Sequence, residues 1–504
     1  MVSTNRPDPQ ALGTLQRLRF LASDTAIYGI AAAVNKGFGL LLFPLLVRNL
    51  TVAQYGTLDI ALYASMLIGL VLVWGQDSAV ARLFFEYEGD RERQEIISQG
   101  LLLIGGMSVV IATAAVAFYL IAPDFDWVGR TPGSMILLVM AFAIVSGLLS
   151  FCQGVLKWTF ERNRYVSLAL GVPATTLAGI ALLAQTDRFT PMAALAVMTG
   201  VAMVFAVVAV ATIRRWLIAR PGLGFLRSLI PLALPYGAIA TISATVPLME
   251  RGVVSGRFGA EELGLYAAAA KIASIAAMLG VAFQMGWGPF AYSIYRQENA
   301  IRTYNLVLRA FAAIVCIAVL GLSALAEPVT AVLAGDRYRG AALFVFPLAM
   351  VFAVQAIGWI TELGIHLSKR TYLNLIGFGC YLAISLAGMF YLSRAIGMIG
   401  VPLGALAGQI AMLLISATVA QRAHRMSWDY RIPATSVVLT LASGAAALTL
   451  PGVLPGARAW WFFAGGIVAL LAVNLAFGFG PADRARLRNI VETSIARFRG
   501  RWVS

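Results

Sequence analysis

Fourteen apolar runs, each long enough to cross a bilayer, leave this chain few ways to fold. They fall at 24–47, 57–80, 97–121, 134–156, 165–184, 191–213, 229–253, 263–288, 304–325, 341–366, 372–393, 398–420, 433–450 and 459–479. About 20 apolar residues cross the hydrocarbon core as a helix, whereas a barrel strand needs only about 9–11. In lipid every backbone polar group must find its partner inside the structure, so runs of this length read as helices. The connectors are short and polar, as at 85–95, 157–164 and 421–431. The whole chain is 60% apolar and 12% charged, with a mean hydropathy of +0.83, more apolar surface than a soluble core can hide. The expected fold class is all-α integral membrane, with 14 transmembrane helices.

Charge gives the sidedness. The net charge of +15 would suggest nucleic acid in a soluble protein. Here the positive residues sit between apolar runs, as topology signals do, and no nucleic-acid partner is expected. An even number of spans puts both termini on one side. About 27 Lys and Arg fall on that side and about 9 on the other, which predicts cytoplasmic termini in a bacterial inner membrane. Residues 1–23 contain Arg6, Arg17 and Arg19 but no apolar core followed by a cleavage site, and read as a cytoplasmic lead-in. The tail 481–504 carries Arg484, Arg486, Arg488, Arg497, Arg499 and Arg501. It reads either as an amphipathic helix on anionic lipid or as a solvated topology anchor.

Reaction chemistry has little to work with. Cys152, Cys316 and Cys380 lie in apolar segments without metal or disulfide spacing, and His366 and His424 are the only histidines. No nucleotide-binding loop and no Ser/His/Asp or Cys/His set can be assembled, and no connector is long enough to hold a catalytic domain. A transporter rather than an enzyme is expected, with no cofactor and no metal.

An internal repeat organises the spans. A shift of 208 residues places Tyr28-Gly29 on Tyr236-Gly237, Ala32 on Ala240, Gly56 on Gly264, Ala61 on Ala269 and Gln76 on Gln284. The connector 50–56 overlays 258–264. Six spans separate equivalent positions, so the repeats run parallel. The expected domains are an N-lobe at 24–228, a C-lobe at 229–432, two appended helices at 433–480 and the tail. Two lobes about an axis normal to the membrane enclose a central cavity and support alternating access.

Charges inside spans then become informative, because each costs a few kcal/mol at the bilayer centre. Lys36 lies mid-span in the first helix, Glu250 and Arg251 in the seventh, Lys271 in the eighth and Glu362 in the tenth. Asp77 and Arg82 close the second, and Arg48 ends the first. The repeat places Arg251 on Phe43, seven residues and nearly two turns after Lys36, on the same helical stripe. Lys36 and Arg251 would then face one cavity from opposite lobes, which suits an anionic ligand such as a diphosphate. Bland readings stand beside this one. Glu250 and Arg251 can neutralise one another, Arg82 can be a topology residue, and Arg48 and Lys271 can snorkel. Gln76 and Gln409 can bind sugar hydroxyls or glue helices, and Trp287 can stack on a sugar ring or anchor at the interface.

The stretch Lys36 to Asp59 (KGFGLLLFPLLVRNLTVAQYGTLD) resembles the first helix and loop of Wzx-type polysaccharide flippases, in the multidrug/oligosaccharidyl-lipid/polysaccharide (MOP) exporter superfamily. Further similar segments follow in order: Gly75 to Glu86, Glu250-Arg251 before Gly264-Leu265-Tyr266, Trp287 to Phe290, and Gly364 to Thr371. Family members commonly carry Asp-Arg where this chain has Glu250-Arg251. The resemblance implies two pseudo-symmetric six-helix lobes plus two C-terminal helices, and a cationic cavity. Its implied substrate is an undecaprenyl-diphosphate-linked oligosaccharide, bound by Lys36 and Arg251 with Arg48 and Lys271 in support. Membrane lipids, a polysaccharide polymerase and a chain-length regulator are the implied partners. A peptidoglycan-precursor (lipid II) flippase, a drug or cation antiporter and a non-transporting scaffold are the other readings.

Overall fold

The computed structural model describes residues 31, 34–122, 133–368, 370–450 and 458–478. The lead-in 1–23, the start of the first span and the tail 481–504 lie outside the described residues. Among those described, 13 helices are long and apolar enough to cross a membrane. In chain order we number them after α1, the helix at 34–49. In the N-lobe α2 is Val52–Glu86, α3 Asp90–Ile121, α4 Ser134–Trp158, α5 Arg162–Leu183 and α6 Pro191–Trp216. In the C-lobe α7 is Leu226–Phe258, α8 Ala260–Ile294, α9 Ala300–Ala324, α10 Asp336–Leu367, α11 Thr371–Ala395 and α12 Gly397–Ala423. The appended pair is α13, Arg431–Thr449, and α14, Ala459–Phe477. Each corresponds to one expected span, and the chain is a multi-pass membrane protein of two six-helix lobes plus two helices.

Several helices outrun their apolar runs. The polar connector expected at 85–95 shrinks to residues 87–89, because α2 continues to Glu86 and α3 begins at Asp90. Asp90 and Glu92 occupy the first turn of α3, where acids offset the positive end of the helix dipole. At the other end of α2, Thr51 and Gln54 form a reciprocal capping box, with hydrogen bonds of 3.0 and 3.2 Å. That cap fixes where the connector after α1 turns back into the membrane.

The second span is not a continuous helix. Trp74 (φ 39°) and Gly75 (φ 71°) break it between Val73 and Gln76. The break lets the backbone of α2 press on α7: a Cβ at Gly75 would lie 2.5 Å from the Ala233 carbonyl oxygen and from Gly237 N. Only glycine adopts this conformation without strain while admitting so close a neighbour. Three prolines inside α7, Pro231, Pro235 and Pro247, remove N–H groups from its ladder, a sequence cause for bending on the facing side.

Small residues set the closest approaches, as expected where lipid gives no hydrophobic drive to helix pairing. Gly400, Gly404 and Gly408 lie one turn apart on α12 and meet α11 at Leu392, Met389 and Ser385. A Cβ on any of the three would fall within 3.0 Å of those atoms. Gly404→Leu should therefore cost at least about 3 kcal/mol, the upper range for an overpacked core, and lower the melting temperature in detergent. Gly379→Leu, on α11 with open space around it, should leave the melting temperature near that of the parent. Equal losses from the two would sink this account of the α11–α12 seam.

The repeat has a direct structural expression. Gly56 on α2 and Gly264 on α8, equivalent under the 208-residue shift, touch each other: a Cβ on Gly56 would lie 2.6 Å from Gly264 N. The two lobes meet there backbone to backbone, and that end of the bundle, called here the Gly56 end, is closed.

Candidate functional site

The charged residues inside the bundle form a chain across the lobe interface. It begins on α1. Lys36 is exposed within the described structure and lines a recess of about 450 Å³ together with apolar residues of α8 and α9. One turn further, Gly39 lies against α8: a Cβ there would stand 3.2 Å from Lys271 Nζ. Lys271 is half-buried, and the charged groups acting on it are Asp59 and Lys36. A glycine at 39 thus leaves room for an ammonium group of the opposite lobe beside the backbone of α1.

The chain continues through Asp59 on α2 to Arg251 on α7. Arg251 Nε donates to Asp59 Oδ2 at 2.6 Å, and Nη1 donates to the Pro247 carbonyl at 2.9 Å. Glu250 Oε2 lies 3.6 Å from Nη1. The guanidinium carbon sits 3.4 Å from the centroid of the Tyr63 ring and 5.9 Å from that of Tyr266. Arg251 is 1% exposed and Glu250 5%. A buried guanidinium is tolerable here because its charge, its fork of donors and its flat face all have partners. The pair Asp59–Arg251 also joins N-lobe to C-lobe, on the same two-lobe seam as Gly56 and Gly264.

The structure therefore divides the residues singled out from sequence. Lys36, Lys271, Glu250 and Arg251 come into one region. Within it Arg251 is paired with Asp59, whereas the sequence offered two readings for it, a cation facing Lys36 across a cavity or a partner of Glu250. Arg48, at the Gly56 end, is exposed and donates to the Val332 carbonyl at 3.3 Å, in the short helix Ala326–Ala334 between α9 and α10. That contact also crosses from lobe to lobe. Asp77 and Arg82 are exposed on the second half of α2, and Asp77 accepts from the Ser78 N–H at 2.8 Å. Glu362 is 6% exposed at the break between the main part of α10 and its last turn, on an element that takes no part in the charge chain. Trp287 is buried, stacked on Phe283 at 5.6 Å and edge-on to Tyr304 at 5.7 Å, which removes it from any sugar-facing surface.

Two participants, Asp59 and Tyr63, were not among the residues singled out from sequence. Asp59 is a charge inside the span 57–80, and that alone was the available signal. Nothing local identifies its partner, which lies 192 residues away. Among the described residues no group of three or more His, Cys, Asp or Glu could hold a metal ion. The free cysteines Cys152 and Cys316 are buried, with Cys380 intermediate.

Comparison with known proteins places this geometry. The family described as polysaccharide biosynthesis protein matches residues 21–290. No curated protein sequence matches the chain. Among solved structures, the lipid II flippase MurJ in an inward closed conformation is similar at 14% identity and a TM-score of 0.65, over 92% of this chain and all of that one. The Vibrio cholerae MATE transporter VcmN in its bent form is similar at 16% identity and a TM-score of 0.54, over 80% of this chain and 97% of the other. An inward-facing multidrug resistance MATE transporter of the MOP superfamily gives 14% identity and 0.54, over 77% and 97%. At these identities the likeness is one of fold, shared with the MurJ and MATE transporters.

Proposed function

The chain belongs to the polysaccharide biosynthesis protein family, and from that premise we propose that it flips a lipid-linked oligosaccharide for surface polysaccharide assembly. The proposed cargo is carried on undecaprenyl diphosphate and moves from the cytoplasmic to the outer leaflet of a bacterial inner membrane. Both termini are then cytoplasmic, and the Gly56 end faces outward. The observation that carries this reading is that Lys271 of the C-lobe sets its ammonium group beside Gly39 on α1, one turn from Lys36 of the N-lobe, where the two charges act on each other. Two ammonium groups, one from each lobe, in the same region of a membrane protein suit an anion more than a cationic drug, which they would repel.

In this mechanism the diphosphate binds Lys36 and Lys271 from the cytoplasmic side. The outer seam is held by Gly56, Gly264, the Asp59–Arg251 pair and the Arg48–Val332 hydrogen bond. An anion at Lys271 competes with Asp59 for that ammonium and so links headgroup binding to the state of the seam. Rocking of the lobes then opens the cavity outward.

The test is complementation of a strain lacking the gene. Lys36→Ala combined with Lys271→Ala, at normal membrane levels, should lower surface polysaccharide at least about tenfold. A charge-assisted hydrogen bond contributes roughly 1.5–3 kcal/mol, and every 1.4 kcal/mol is tenfold. Lys36→Arg should keep most of the activity. Undiminished polysaccharide in the double variant removes these residues from the site. Intact polysaccharide together with accumulated peptidoglycan precursor favours the lipid II reading, for which the same diphosphate chemistry serves.

A further inference from the structure

We propose that the recess beside Lys36 takes the first isoprene units of the carrier lipid, so that the protein holds the tail as well as the headgroup. This rests on the flippase reading and deepens it. The recess has a volume of about 450 Å³, within the roughly 300–1,000 Å³ of ligand pockets. Lys36 is the single charged residue on its wall among the described residues. The rest of the described lining is apolar, supplied mainly by α8 (among others Ile275, Leu279, Ala282 and Met285) and by Ala318 and Leu322 of α9. Those α8 positions recur every three or four residues, so they form one continuous stripe.

The combination is selective. A hydrated inorganic anion gains from Lys36 but cannot wet the apolar wall. A neutral or cationic hydrophobe gains from the wall but leaves the ammonium without an anion. A phosphate joined directly to a hydrocarbon satisfies both, with the oxygen-bearing end at Lys36 and the chain along the α8 stripe. The occupant is therefore an amphipathic phosphate lipid. The branched prenyl chain is favoured over a straight acyl chain because its methyl groups need the room that the alanines leave, against thioether side chains that adapt to irregular shapes.

The experiment uses the full-length protein in nanodiscs with a farnesyl diphosphate analogue carrying a diazirine on its first isoprene unit. Irradiation should place cross-links on peptides from 275–285 and 318–322. Unlabelled farnesyl diphosphate should suppress them, and an equal concentration of phosphatidylglycerol should not. Ala282→Phe, which fills the recess from an exposed position, should cut the cross-links at least about tenfold. Met285→Gln, close to isosteric, should weaken them without overpacking and serves as the second variant if Ala282→Phe folds poorly. Cross-links spread evenly over the bundle, equal suppression by phosphatidylglycerol, or indifference to both substitutions would each overturn the proposal. Loss of cross-links in Ala282→Phe, in a strain whose surface polysaccharide does not depend on this gene, would retain the recess and reject the flippase reading. Full complementation by a variant that no longer cross-links would do the reverse.

Discussion

Arg251→Ala is expected to destabilise the purified protein more than Asp59→Ala, although the two residues share one ion pair. The asymmetry follows from what each substitution leaves behind. Without Arg251, Asp59 and Glu250 remain as two acids in a nearly closed environment, with no cation between them. Removing one partner of a buried pair typically costs roughly 3–5 kcal/mol. Without Asp59, Arg251 still has Glu250 at 3.6 Å, the Pro247 carbonyl at 2.9 Å and the ring face of Tyr63. The remaining loss is then closer to the roughly 1.5–3 kcal/mol of a charged hydrogen bond. The double variant Asp59→Ala, Arg251→Ala should be no less stable than Arg251→Ala alone, because it also removes one stranded acid. Arg251→Lys should fall between, keeping the charge but losing the fork and the stacking plane. Melting temperatures in detergent, measured at one scan rate, rank the four variants. Additive losses in the double variant would mean that the two side chains are not coupled.

That pair also marks where sequence reading ends. The span count was legible because each apolar run makes one helical crossing, broken or not, and the repeat was legible because Gly56 and Gly264 sit at equivalent turns of equivalent helices. The partner of Arg251 was not. Equivalence under the repeat carries Arg251 to Phe43 on α1, and that mapping suggested a shared cavity with Lys36. The shift relates positions within lobes, whereas the contact is made between them, and the register of α7 against α2 is set by packing. The Trp74–Gly75 break was hidden for a different reason: hydropathy averages over the whole window, and Trp has no preference for a left-handed conformation. The spacing of Gly400, Gly404 and Gly408 is a readable signal of close helix packing, and one that counting spans does not use.

The contact between the repeats supplies the second large effect. A Cβ on Gly264 would fall inside 3.0 Å of the Val52 carbonyl oxygen and carbon, which belong to backbone and cannot rotate away. Even Gly264→Ala should therefore force the lobes apart at the Gly56 end, and Gly264→Val more so. Gly252→Ala on α7, with open space around it, is the matched control and should change nothing. The readout is labelling of Thr57→Cys by a membrane-impermeant maleimide, in a protein whose Cys152, Cys316 and Cys380 are serine. Thr57 is 9% exposed next to the seam, so a closed bundle protects it. Gly264→Ala should raise the labelling rate at least about tenfold, which needs only about 1.4 kcal/mol against the closed state. Under the proposed function flipping should fall with it, because a bundle that cannot close at this end cannot hold its cargo for the opposite opening. If labelling in Gly264→Ala equals that in Gly252→Ala, the glycine contact is not what closes the seam. A positive result would give the internal repeat a mechanical reason: each lobe needs a side-chain-free turn at the same place, because that turn is where the lobes touch and where they must part.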